Sequence, residues 1–156
     1  QHRRGHARHS RPRARRSVRP MIALDSSVLL DILIGDPVYG EVSEICIGDA
    51  LARDEVVVCD AVVAEVLAML DTQVDLMETL ASFGVRYEAT QEAAAVRAGH
   101  MNKRFRARGG KRERVVADFL IGAHAMLQCD GLITRDEGFF RDYFKGLKIV
   151  VPKPAP

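Results

Sequence analysis

The sequence predicts an α/β fold, built on a mostly parallel sheet of about five strands with helices on both faces. Short apolar or β-branched runs, "MIAL", "VVVC", "VRYEA", "GLIT" and "LKIVV", alternate with longer segments of helical periodicity. Such alternation brings strands side by side through right-handed helical crossovers. The 156 residues contain no internal repeat and are enough for one packed domain.

The elements follow in order. "MIAL", from Met21, reads as a strand, and "SSVLLDILIG" as a helix begun by Ser26 or Ser27 and stopped at Gly35. Pro37 is expected to open a second helix through about Asp54, before the buried strand "VVVC". Asp60 is positioned to cap "AVVAEVLAML"; another helix covers residues 74 to 83, and Gly84 turns the chain into "VRYEA". Thr90 is expected to cap a long helix ending at Gly109 and Gly110. Residues 115 to 127 form the next helix, "GLIT" a strand, "EGFFRDYF" a helical turn and "LKIVV" the last strand. The domain therefore spans residues 21–151, with a proline-rich end at 152–156.

Residues 1–20 hold eight arginines, three histidines and no acid, with too few apolar side chains to pack a core. They read as a basic disordered tail or upstream extension ahead of Met21. The overall charge of +2 hides this asymmetry: past the tail, 15 basic residues face 21 acidic ones, a net −6. No stretch is long and apolar enough for a bilayer, and no apolar segment follows the tail as a secretory signal requires, so a soluble, cytoplasmic protein is expected. Cys46, Cys59 and Cys129 are odd in number and form no C-x-x-C pair, which argues against a disulfide framework or a zinc site; they read as small core residues.

Four acids stand out by their isolation. Asp118 is the only formal charge in "VVADFLIGAHAML", and Glu65 the only one from Ala61 through Leu70; Asp25 follows the first strand directly and Asp136 comes two residues after "LIT". Burying an unpartnered carboxylate is costly. In open α/β sheets the loops beyond the carboxyl ends of the strands converge, so all four acids are expected at one rim. There, mutual repulsion would protonate some of them unless divalent cations neutralised them, and oxygen-only ligands suit magnesium or manganese. Each acid also has a structural reading. Asp25 and Asp136 are placed to cap helices, and Asp118 to pair with Arg114 at i,i+4. Glu65 has no basic residue within a helical turn, and its partner must come from elsewhere in the fold.

"MIALDSSVLLDIL", "VVCDAVVAEVLA", "RVVADFLIGAHA" and "LITRDEGFF" resemble, in order and spacing, the four acidic motifs of PIN-domain ribonucleases, especially VapC-like toxins of bacterial type II toxin–antitoxin pairs. The likeness runs from Met21 to about Val151. It implies a three-layer α/β/α sandwich and magnesium- or manganese-dependent cleavage of RNA, with Asp25, Glu65, Asp118 and Asp136 as metal-binding acids and Ser27 and Thr134 as supporting hydroxyls. It also implies an inhibitory antitoxin partner and a homodimer, for which Val28, Leu29, Ile32 and Leu33 offer apolar surface or else core packing. Asp60 departs from the pattern, standing where a serine or threonine usually begins the second motif. A divalent cation in such a site would acidify water for in-line attack on a phosphodiester, leaving 5′-phosphate and 3′-hydroxyl ends. No histidine is needed as a base, and His100 and His124 read as surface or packing residues.

An acidic domain needs local positive charge to hold a polyanion. "NKRFRARGGKRER" supplies Lys103, Arg104, Arg106, Arg108, Lys111, Arg112 and Arg114, a strip suited to the RNA backbone, although helix-dipole compensation accounts for three or four of them. Three rivals remain. A non-catalytic RNA-binding module of the same fold would tolerate loss of an acid. A phosphoacceptor or phosphotransfer domain would want a lysine near the last strands, for which only Lys145 and Lys148 offer themselves. Cleavage of DNA would share every residue.

Overall fold

The computed structural model describes residues 19–71 and 73–154. Most of the basic tail and the last two residues of the proline-rich end lie outside the described residues. The order is β1 (Met21–Leu24), α1 (Ser26–Leu33), α2 (Gly40–Arg53), β2 (Glu55–Val58), α3 (Asp60–Met69), α4 (Leu76–Ser82), β3 (Arg86–Tyr87), α5 (Glu92–Ala107), α6 (Val115–Gln128), β4 (Gly131–Ile133), α7 (Glu137–Tyr143) and β5 (Lys148–Val150). The strands form one sheet in the order β3-β2-β1-β4-β5, and every pairing is parallel. Helices complete the expected α/β/α sandwich.

Several boundaries depart from the sequence reading for identifiable reasons. The second helix starts at Gly40 instead of Pro37, because the Asp36 carboxylate accepts from the backbone N–H groups of Val38 and Tyr39 and holds that stretch as a turn. Asp60 and Thr90, each expected to cap a helix, are spent on one another: Asp60 Oδ1 accepts from Thr90 N at 2.9 Å and Thr90 Oγ1 at 2.5 Å. Cys59 and Gln91 take the cap positions without side-chain hydrogen bonds. β3 is trimmed to two residues, both exposed at the sheet edge, where nothing apolar rewards further pairing.

The central strands are buried on both faces, as parallel sheets require: Ile22, Ala23, Leu24, Val56, Val57, Val58, Leu132 and Ile133 are all nearly inaccessible. α6 is buried along most of its length, through Phe119, Ile121, Gly122, Ala123, His124 and Ala125. Phe119 lies among the rings of Phe105, Phe139, Tyr143 and Phe144, with centroids 5.3–6.4 Å away. Gly122 permits this packing, since a Cβ there would stand 2.1 Å from the Phe144 ring. Cys59 is buried and Cys46 and Cys129 are half-buried; all three are free thiols.

The topology fixes where chemistry can gather. β1 is central, with β2 on one side and β4 on the other, so the loops leaving β1 and β4 part at a topological switch point. The backbone N–H of Asp25 donates to the Ile133 carbonyl at 2.9 Å, carrying Asp25 alongside Thr134.

Candidate functional site

Asp25 leaves β1 in extended backbone, is 5 % exposed, and accepts from three donors. Ser26 N reaches Oδ1 at 2.8 Å; Ser27 Oγ and Thr134 Oγ1 reach Oδ2 at 2.9 and 2.7 Å. The two hydroxyls named from sequence thus meet on one carboxylate oxygen. They also bind the next loop: Thr134 Oγ1 accepts from Asp136 N at 3.0 Å, and Ser27 Oγ from Arg135 N at 3.3 Å. The partner that Glu65 lacked on its own helix is Ser26, whose hydroxyl donates to Oε1 at 2.7 Å.

Asp118 and Asp136 are joined by a cation, but not the one expected. Arg112 donates through Nε to Asp118 Oδ2 at 2.9 Å and through its terminal nitrogen to Asp136 Oδ2, while its guanidinium lies 4.3 Å above the Phe139 ring. Arg114 does not pair with Asp118. It takes a left-handed backbone, φ 59°, as the residue before α6, and its carbonyl accepts the Asp118 N–H. Neither Asp25 nor Asp136 acts as a full side-chain cap: Asp25 reaches only Ser26 N, and Asp136 makes no capping bond.

All four acids therefore face one rim. Residues 22–145 match the family model for the PIN domain. The chain belongs to the PIN-domain family. Solved structures of the same fold include VapBC2 from Rickettsia felis bound to a DNA fragment from its promoter, 13% identical, covering 84% of this chain and 98% of that one, with a TM-score of 0.65. A toxin–antitoxin complex from Klebsiella pneumoniae is 18% identical over 86% and 99% of the two chains, with a TM-score of 0.59. FitAcB from Neisseria gonorrhoeae is 22% identical over 85% and 98%, with a TM-score of 0.57. Among curated proteins there is no match.

The electrostatics of this PIN domain suit a cation. Burial pushes the Asp25 carboxyl up to about 6 despite its three donors, and the neighbouring charge of Asp118 adds to the rise. Burial also raises Asp118, with Arg112 opposing and Glu65 and Asp136 reinforcing. The donor set is all oxygen, four carboxylates and the hydroxyls that orient them, which fits magnesium or manganese. Arg112 already bridges two of the acids, Asp118 and Asp136, and would compete with a divalent ion for them.

A carboxyl raised on folding stabilises the fold below its unfolded pKa, and that contribution is lost as pH climbs through the folded value. For Asp25 the window runs from 3.8 to about 6 and corresponds to roughly 3 kcal/mol. Denaturation measured in chelator across this window should therefore show the wild-type chain losing stability relative to Asp25→Asn as pH rises. Parallel curves for the two would contradict the assignment.

The basic strip divides. Lys103, Arg104 and Arg106 lie exposed on α5, Arg108 at its end, and Lys111, Arg112 and Arg114 in the loop before α6. Arg106, Lys111 and Arg112 line a small pocket with Phe105, Gly110 and Val115, whereas Arg104 faces a different surface beside Arg97 and His100. His100 is exposed and His124 wholly buried. Sequence reasoning passed over Ser26 and the pair Asp31–Arg135. Asp31 is 2 % exposed, bound by Arg135 through two nitrogens at 2.5 and 2.8 Å, and Arg135 stacks on Tyr39 at 4.1 Å. The available signal was Asp31 itself, another lone acid in an apolar run.

Proposed function

We propose that this PIN domain is a divalent-metal-dependent endoribonuclease, the toxin of a toxin–antitoxin pair, working in the cytoplasm. The observation that carries the reading is the junction of Asp25, Glu65, Asp118 and Asp136 at one rim, tied together by Ser26, Ser27, Thr134 and Arg112. PIN domains are typically nucleases that use divalent metals. Magnesium or manganese held by the four acids would supply Lewis-acid charge stabilisation and acidify water, giving 5′-phosphate and 3′-hydroxyl ends. The chain's own part is positioning. Ser27 and Thr134 fix the Asp25 oxygens, Ser26 aims Glu65, and Thr134 ties the Asp136 backbone to Asp25. Asp25 accepts from a backbone N–H and two hydroxyls and from no lysine, which disfavours the phosphoacceptor reading.

The partners are argued from surface chemistry. The similar structures include proteins described as toxin–antitoxin complexes, and an apolar groove lined by Leu29, Ile32, Leu33, Ile47, Leu51 and Phe83 is suited to an antitoxin segment. Val28, by contrast, is wholly buried and belongs to the core. The apolar surface of α3 and α6, with Ala64, Ala68, Met69, Val116, Ala117 and Leu120, is suited to a second copy of the chain.

The test is to incubate the purified chain with RNA and with DNA of matched sequence, with magnesium, manganese or chelator, and to map the ends. RNA fragments with 5′-phosphates that form only with the ion are expected; cleavage that persists in chelator would sink the proposal. RNA contact is assigned to Arg106 and Lys111, exposed beside Arg112, and to Arg108, exposed at the end of α5, while Arg112 is engaged with the acids. Replacing the three with alanine should weaken RNA binding about tenfold at low salt and flatten its salt dependence by about two counterions. Unchanged binding would move the RNA track elsewhere.

A further inference from the structure

A second group of metal-ligand side chains lies outside the acidic rim. The segment after β3 is clamped from two sides: Asp60, at the start of α3, holds Thr90, while Gln128, near the end of α6, donates to the Ala89 carbonyl at 3.0 Å and accepts from Gln91 N at 2.8 Å. Glu88 N donates to the Val58 carbonyl at 2.9 Å. These bonds hold Glu88 over the inner face of α6, where His124 is 0 % exposed. His124 Nε2 lies 4.0 Å from Glu88 Oε2, and His124 Nδ1 lies 4.0 Å from Cys129 Sγ. Both Nε2 and Oε2 are buried without a hydrogen-bond partner, an arrangement native interiors rarely tolerate.

One donor atom from each of Glu88, His124 and Cys129 lies within 4.8 Å of the others, the one such trio among the described residues. We propose that these three residues form a second metal site, for a borderline-soft divalent ion of the zinc class. Carboxylate, imidazole and thiolate together match zinc and its neighbours, whereas magnesium and manganese prefer the oxygen donors of the rim. A single ion takes one ring nitrogen of His124, and tetrahedral zinc needs donor atoms about 3.3–3.8 Å apart, so the trio, whose ligand atoms lie within 4.8 Å of one another, must close by about 1 Å. His124 is fixed by packing; Glu88 and Cys129, half-buried at the ends of elements, supply the movement.

Burial favours the neutral forms of both the imidazole and the thiol of this trio. Burial holds the His124 imidazole below its ordinary value, against the pull of Asp60 and the Glu88 backbone, leaving a neutral ring able to ligate. Burial, with Glu88, Cys59 and Asp130 reinforcing, pushes the Cys129 thiol up to about 12. The thiol therefore enters protonated: as the sulfur–metal bond forms, the S–H bond breaks and one proton leaves to solvent. The bound ion would fasten the end of α6 to the segment after β3, a structural role separate from cleavage.

Cobalt(II) titration of the full chain tests this, because cobalt reports a thiolate ligand by a near-ultraviolet charge-transfer band and tetrahedral coordination by visible bands. The bands should saturate at one ion per chain, vanish on zinc addition, be lost in Cys129→Ser and require about tenfold or more cobalt in Glu88→Gln. They should persist in Cys46→Ser and in Asp25→Asn/Asp118→Asn, with circular dichroism verifying that each variant is folded. Zinc should also raise the thermal midpoint of the wild type by about 5–10 °C and that of Cys129→Ser much less. Absence of a thiolate band, a band that survives Cys129→Ser, or an equal zinc shift in both proteins would overturn the proposal.

Discussion

Asp25→Asn is expected to lower the proposed metal-dependent RNA cleavage about a thousandfold while leaving the chain folded. Asp25 is the acid on which the site converges: it is buried, and three donors from β1's exit and β4's exit fix both its oxygens. Asparagine keeps the shape and removes the charge. It also turns one oxygen into an N–H donor that must face either Ser26 N or the two hydroxyls, so the replacement cannot copy the carboxylate's bonding. Ser27→Ala and Thr134→Val, which disturb only the aim of Asp25, should cost about tenfold to a hundredfold. Single-turnover cleavage of a labelled RNA at saturating magnesium separates these levels. A rate within tenfold of wild type for Asp25→Asn would remove Asp25 from the proposed metal site.

The second large effect concerns stability. Phe119→Ala should destabilise the domain by about 3–5 kcal/mol, lowering the thermal midpoint by about 8–15 °C. Phe119 is wholly buried, and four aromatic rings surround it. Gly122, one turn along α6, already lets Phe144 approach the helix backbone, so little slack remains for the walls to collapse into a void. Phe119→Leu, which keeps more of the volume, should cost about 1–2 kcal/mol. Thermal denaturation in chelator measures both, and a loss below about 1 kcal/mol for alanine would show that the ring cluster relaxes.

The sheet and most helices were legible because β-branched runs and helical periodicity are local signals. Strand direction followed from alternation, and the rim position of Asp25, Glu65, Asp118 and Asp136 followed from strand direction. What sequence hid was the choice among nearby partners. Arg114 sits at the right helical spacing from Asp118, but its left-handed backbone takes it off the helix, and Arg112 folds back in its place. Asp60 and Thr90 each carried the mark of a cap, yet the fold brings them together and they satisfy one another. The Glu88–His124–Cys129 trio carries no local spacing signal, because Glu88 follows β3 at the sheet edge while His124 and Cys129 belong to α6 and its end.

Arg112 carries a final consequence. A fold that crowds carboxylates at its working edge ordinarily risks Coulombic bursting until an ion arrives. Here the chain brings a provisional counter-ion of its own, a guanidinium seated between two anions and propped on a phenyl ring. On the proposed reading, folding is thereby uncoupled from metal supply: the polypeptide can complete its architecture with Arg112 in place and take up an ion afterwards.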